Sequence, residues 1–378
     1  EALGLEVDIQ EDLGVNLKWR SVTNCKNIIT RIKGKEEGKA LLLLTHYDSR
    51  SQSSPGASDA GSGVVAILEG VRAFLAKNAT PRNDINICIT EAEELGLLGD
   101  NPIDTHHLWP EDLVLVLNYE ALGSGGKSYM LKETNGGNEN QLISLERANV
   151  NHPVTNSLMY SIYKMLPNDT DLTIFREEAE IDGFNFAFID DHYDNHKAQD
   201  SYARMDINSL KHQADDLMAT LDYFSSTALE ELKYDEDHVY FNFTGLGIVN
   251  YPFSWSGPLL YIGTLIFILL LAIGRRKKMI SSKGALRGFI PLLAALVCGV
   301  TFAFLGWKLL NYVHPQYQDM LHGFTYNGHL YMAAFSTLTI AMSLWIYNRG
   351  FKKTSLEDSM VAPIIFWLIL IGVIVFYL

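Results

Sequence analysis

Four apolar runs in the last third of this 378-residue chain constrain its fold more than any other feature. They cover residues 257–274, 288–307, 330–347 and 361–378, each 18 to 20 residues long. At 1.5 Å per residue, a helix of that length crosses the ~30 Å hydrocarbon core of a bilayer. Each run is therefore expected to be a membrane-spanning helix, and the lipid bilayer a partner of the chain. Arg275, Arg276, Lys277 and Lys278 follow the first run and Arg349, Lys352 and Lys353 the third, whereas the connection between the second and third is almost uncharged. The positive-inside rule assigns the basic connections to the cytoplasm, which puts residues 1–256 on the periplasmic, extracellular or lumenal side. No Asp or Glu lies within the runs, so anchoring is a better expectation for them than ion-coupled transport. The sequence opens at Glu1 without a Met or a leader and stops at Leu378 inside an apolar run, so further residues are expected on both sides.

Composition changes abruptly near Trp255. Residues 1–256 carry 20 Lys and Arg against 41 Asp and Glu, and the remainder 10 against 3. So acidic a first part argues against a nucleic-acid partner, since phosphate binding needs clustered Lys and Arg. Cys25, Cys88 and Cys298 are too few and too scattered for a disulfide framework, and no CxxC motif exists. Cys88 and Cys298 read as small buried hydrophobes, and a bridge between Cys25 and Cys88 is open outside the cytosol. Asn78, Asn168 and Asn242 begin Asn-x-Thr sequons, all in the first part.

Within residues 1–256, short apolar runs at 40–45, 85–90, 114–118 and 184–189 have the length and β-branched content of buried strands. Helical patterns lie between them. The clearest is 63–77, where Val64, Val65, Ile67, Leu68, Val71 and Phe74 form an apolar stripe. Strands alternating with helices imply a mostly parallel sheet covered on both faces. Ligands bind such sheets beyond the carboxyl ends of the strands. His46 and Asp48 follow the first run, Glu93 and Glu94 the second, Glu120 the third, and the segment DDHYDNHKAQD the fourth. Carboxylates scattered over a solvated face would not fall at every strand end.

Imidazoles and carboxylates converging there are the donor set of a hydrolytic zinc site. His46 is one candidate imidazole. His192 and His196 compete for the other, and spacing alone does not choose between them. Asp59 lies in the small-residue loop PGASDAGSG, where it is open to two readings, a ligand or a cap of the following helix. Adjacent carboxylates at Glu93 and Glu94 point in different directions, so one can bind metal while its neighbour moves a proton. Asp48, two residues past His46, is placed to orient that imidazole. His106 and His107 in a loop, and the isolated His152 and His212, are expected to face solvent.

In order, HYD, GASDAGSG, EAEELGLLG, LNYEALGSGG and HKAQDS resemble the M28 metallopeptidases, a family of zinc aminopeptidases and carboxypeptidases with co-catalytic metals. The resemblance covers roughly residues 38–225. It implies an α/β fold, a three-layer αβα zinc-peptidase domain over 1–235, followed by a linker at 236–256 and the transmembrane bundle. It implies two zinc ions per chain, one held by His46, Asp59 and Glu120 and the other by Asp59, Glu94 and His196. Asp59 would bridge the two, Glu93 would be the general base, and peptides would be the substrates of an exopeptidase, most of all an aminopeptidase. His196 is favoured over His192 because the family pattern H-T-x-x-D reads here as His196 to Asp200, with Lys197 in place of Thr. Many members carry Asp at the Glu120 position. The segment VYFNFTGLGIVNYPFSW before the first apolar run resembles a multi-span branch, that of the endoplasmic-reticulum metallopeptidase and the vacuolar membrane protease, whose members tend to carry Glu there. Two other readings attach to the same resemblance: a single-zinc glutaminyl cyclase, and a receptor or scaffold without catalysis. The selectivity pocket is expected from loops at 123–140 and 168–181.

Overall fold

A computed structural model describes residues 2–36, 39–50, 54–99, 112–165, 169–233, 236–320, 323–351 and 354–377. His106, His107, Asn168, Lys352, Lys353 and Leu378 lie outside the described residues. The chain divides into two compact units, Glu1–Phe253 and Ser254–Leu378.

The first unit is built on a seven-stranded sheet, with β1 (Val7–Asn16), β2 (Ser21–Ile32), β3 (Ala40–His46), β4 (Asp84–Thr90), β5 (Leu113–Ala121), β6 (Gly125–Glu133) and β7 (Asp182–Asp190). Their order across the sheet is β1-β2-β4-β3-β5-β7-β6. The four runs expected as strands are the central β4, β3, β5 and β7, and they pair with one another in parallel. Three further strands flank them in antiparallel pairing: β1 and β2 at one edge and β6 at the other. Alternate side chains divide between two cores, as the two-residue period of a strand requires. Leu41, Leu43, Ile85, Ile87, Leu115, Leu117, Phe184 and Phe186 meet Ile67, Val71 and Phe74 of α1 (Gly61–Ala76). Further helices follow as α2 (Glu139–Ala148), α3 (Ser157–Met165), α4 (Asp171–Glu177) and α5 (Ile207–Phe224), and Leu217, Leu221 and Phe224 of α5 join the same core. On the other face Leu42, Leu44 and Val116 meet Leu172 and Phe175 of α4. The result is three layers, αβα.

Several expectations are corrected. In α1, Val65 and Leu68 point outward, 54% and 51% exposed, because the buried stripe runs through Ile67, Val71 and Phe74 with the small residues Ser62, Gly63, Ala66 and Gly70 beside them. Cys25 and Cys88 are buried thiols with no disulfide between them, since the β2–β4 register sets Ile29 opposite Cys88. His212 does not face solvent: its ring accepts a hydrogen bond from the Ser128 backbone N–H at 3.0 Å. Residues 123–140 contain strand β6, and 168–181 contain helix α4, so neither is a plain loop. Within 236–256 an antiparallel hairpin forms, β8 (His238–Phe243) and β9 (Gly247–Pro252), and it belongs to the first unit.

The second unit holds four helices, α6 (Ser256–Arg276), α7 (Ser282–Val313), α8 (Gly328–Gly350) and α9 (Leu356–Tyr377), each long and apolar enough to cross a membrane. Small residues let α7 approach its neighbours closely, as in membrane bundles generally. Gly306 faces Phe335 of α8, and Gly288 faces the backbone of Asp358 and Ser359 in α9. Asp358 accepts the Ser281 backbone N–H at 2.7 Å and so ties the start of α7 to α9. Cys298 is exposed on the outside of α7 instead of buried.

Candidate metal centre

The parallel register brings the sequence candidates to one edge of the sheet. His46 ends β3 opposite Thr90, the last residue of β4, and Glu120 lies two residues beyond the Asn118 that pairs with Leu44. Glu93 and Glu94 follow in the turn after β4, and Asn195 and His196 follow β7. Asp59 enters through the loop before α1. That loop is held from below, because Asp200 accepts the backbone N–H groups of Ser58 at 2.7 Å and Asp59 at 3.2 Å. No side chain caps α1, so the helix-cap reading of Asp59 does not apply. Gly63 is required four residues later: a Cβ there would collide with Thr45 Oγ1 and the Tyr119 carbonyl.

The two oxygens of Asp59 face different imidazoles. Oδ1 lies 3.2 Å from His46 Nε2, and Oδ2 lies 3.2 Å from His196 Nε2. Glu120 Oε2 completes the first group, 3.3 Å from His46 Nε2. Glu94 Oε1 completes the second, 3.1 Å from His196 Nε2. Two triads sharing Asp59 thus converge: His46, Asp59, Glu120 and Asp59, Glu94, His196. The His46 ring is oriented from behind, its Nδ1 3.0 Å from the Asp48 carbonyl oxygen and 3.4 Å from Asp48 Oδ1. The Asp48 carboxylate also accepts the backbone N–H groups of Glu93 and Glu94, both at 3.2 Å, which fixes the turn that presents them. His192 joins neither triad, and its ring meets the Leu122 carbonyl. His196 holds a left-handed backbone, φ 56°. Such a conformation costs a non-glycine residue on the order of 1–3 kcal/mol and persists where the surroundings over-determine it.

Charge in this cluster is unbalanced toward the negative. Burial opposes a charged His46, yet Glu120, Asp48 and Asp59 hold its pKa well above the ordinary value. Burial likewise opposes charge on His196, but Asp59 and Glu94 raise it to about 9. Burial raises Glu120 to about 7 against the pull of His46, with Asp59 and Asp171 adding to the rise. Asp59 goes the other way, down to about 2, because His196 and His46 outweigh its burial. Glu93 is raised well above the carboxylate range by burial and by Glu120, Asp171 and Glu94, against His46. Carboxylates in excess around two imidazoles, with one carboxylate shared, form a donor set that suits a pair of divalent cations of the zinc type.

Two contributors escaped the sequence reading. Asp171, at the start of α4, accepts a hydrogen bond from Thr90 Oγ1 at 2.5 Å and adds negative charge behind the centre. It lies far from every motif, and only the folding of α4 across the sheet brings it near. Arg50 donates to the Glu94 carbonyl at 2.6 Å. Its place four residues past His46 is the one signal that could have marked it.

The model of Peptidase family M28 matches residues 27–221. Endoplasmic reticulum metallopeptidase 1 of Rattus norvegicus is 26% identical over 75% of this chain and 31% of its own length. A vacuolar membrane protease of Candida dubliniensis is 25% identical over 86% of this chain and 30% of its own. The chain thus spans about a third of the length of these relatives. Among solved structures, a zinc aminopeptidase from Bacillus subtilis is similar with a TM-score of 0.43 and 23% identity, over 56% of this chain and 53% of that one.

Proposed function

Because the chain belongs to peptidase family M28, we propose that its first unit is a zinc-dependent exopeptidase, an aminopeptidase, anchored by the helices of the second. The observation that carries this reading is the division of Asp59 between His46 and His196. His46, Asp59 and Glu120 would hold one zinc ion, and Asp59, Glu94 and His196 the other. Zinc supplies polarisation of the scissile carbonyl and a more acidic attacking water. Glu93 is the proton carrier: it takes a proton from the water that attacks the carbonyl carbon and passes it to the departing amine. Asp48 keeps the His46 ring and the Glu93 backbone in register for both steps.

The basic residues after α6 and α8 favour an orientation with the peptidase unit on the non-cytoplasmic side, in a lumen, the periplasm or the extracellular space. Glu93→Gln tests the catalytic assignment. Peptide hydrolysis should fall by a factor on the order of 100 or more with zinc content unchanged. Unaltered turnover would remove Glu93 from the mechanism. Peptides with a free N-terminus should be cleaved and their N-acetylated counterparts left intact. Release of a pyroglutamyl peptide from an N-terminal Gln substrate, without hydrolysis, would instead favour the cyclase chemistry.

A further inference from the structure

A second donor cluster lies away from that centre, where the hairpin β8–β9 meets the start of α2. Asn138, the residue before α2, pairs with His238 like a neighbouring strand: its Nδ2 donates to the His238 carbonyl at 3.0 Å and its Oδ1 accepts the His238 N–H at 2.7 Å. The Glu236 carbonyl accepts the backbone N–H groups of Asn138 at 3.0 Å and Glu139 at 3.3 Å. These bonds bring the side chains of Glu139, Glu236 and His238 together, with one donor atom from each within 4.8 Å of the others.

The His238 ring has the orientation of a ligand. Asn250 Nδ2 donates to Glu146 Oε1 at 2.9 Å, which turns the amide so that Asn250 Oδ1 faces His238 Nδ1 at 2.8 Å. An oxygen there requires the proton on Nδ1 and leaves Nε2 as the coordinating atom of the neutral ring, the arrangement found behind metal-bound imidazoles. The side chain is only 8% exposed, and Nε2 has no hydrogen-bond partner. Glu139 Oε1 stands 3.7 Å away, too far for a hydrogen bond and suited to an ion seated between. Glu236 lies on the exposed side, which leaves a path for a cation to enter.

We propose that His238 Nε2, Glu139 and Glu236 form a further divalent-cation site, of the zinc class, that fastens the β8–β9 hairpin to α2. One imidazole with two carboxylates favours zinc or a neighbouring transition ion over calcium and magnesium, which take oxygen donors. The site is independent of the catalytic reading, because none of its residues touches the Asp59 centre.

Zinc content of the full chain, purified in detergent and dialysed against a weak chelator, tests it. His238→Gln should hold about one zinc equivalent fewer than the wild type. The Glu139→Gln, Glu236→Gln double variant keeps the buried imidazole and its Asn250 bond, guards against misfolding of the first variant, and should lose the same equivalent. In a His46→Ala, His196→Ala background, zinc should still slow hydrogen exchange in residues 238–252, and His238→Gln should abolish that response. Equal zinc content in the wild type and both hairpin variants would overturn the proposal. Failure of the catalytic reading alone would show as His46→Ala, His196→Ala retaining all its zinc.

Discussion

At the residue scale, the buried charges around Asp59 set how the metal-free centre responds to pH. His196, raised to about 9, contributes stability that is complete below its ordinary pKa near 6.5 and is lost as pH rises through 9. Glu120, raised from 4.5 to about 7, behaves the same way over a lower window. Asp59 is depressed to about 2, so its contribution is present above 3.8 and lost as pH falls through 2. The chelated protein should therefore melt at progressively lower temperature between pH 5 and pH 9. Zinc reverses the trend, because it needs the imidazoles neutral and the carboxylates ionised. A flat or rising melting temperature for chelated protein would contradict the charge balance described for the centre. Asp200→Asn weakens the clamp on the Ser58 and Asp59 N–H groups, and should lower zinc affinity about 10–100-fold with little change in the circular dichroism spectrum. His46, Glu93, Glu94 and Glu120 stand out as candidates in the sequence because a parallel sheet gathers whatever follows its strands, whereas Asp59 stayed open there between a ligand and a helix cap. Choosing His196 over His192 needed the family pattern, and His238 went unread because its partners come from α2 and β9, about 100 and 12 residues away.

At the scale of elements, legibility followed burial. The central strands β3, β4, β5 and β7 are covered on both faces and so read as continuous apolar runs. The flanking strands do not. β1 reads VDIQEDLGVN because half of its residues are exposed and only Gly14 is buried, and β6 carries Lys132 and Glu133 into the interior. A charged pair looks like surface until its partners are known: Glu133 lies 3.1 Å from Arg176 of α4. Helix α1 kept only part of its expected stripe: Ile67, Val71 and Phe74 are buried, Val65 and Leu68 are exposed, and glycine makes its closest approach. Gly63→Ala would push α1 away from Thr45 and Tyr119, beside the Asp59 loop. Overpacking of this kind costs about 1–3 kcal/mol, which denaturant titration would read as a lower midpoint at unchanged slope. An unaltered midpoint would mean that the contact relaxes at no cost.

At the scale of the whole molecule, composition changes abruptly near Trp255, and the chain divides into two compact units between Phe253 and Ser254. The helices run longer than the apolar runs, and α7 reaches 32 residues through polar turns at its ends. Sidedness is directly measurable. In sealed vesicles, Asn78→Cys and Lys277→Cys should react with an impermeant thiol reagent from opposite faces, the second from the cytoplasmic one, and labelling from one face would reverse the orientation argument. Whether one carboxylate, Asp59, serves two metal ions is decided by anomalous scattering from the zinc-loaded protein at the zinc edge. Two peaks are predicted at Asp59, one among His46 Nε2, Asp59 Oδ1 and Glu120 Oε2 and one among Asp59 Oδ2, Glu94 Oε1 and His196 Nε2. A single peak there, or none, would contradict that shared role.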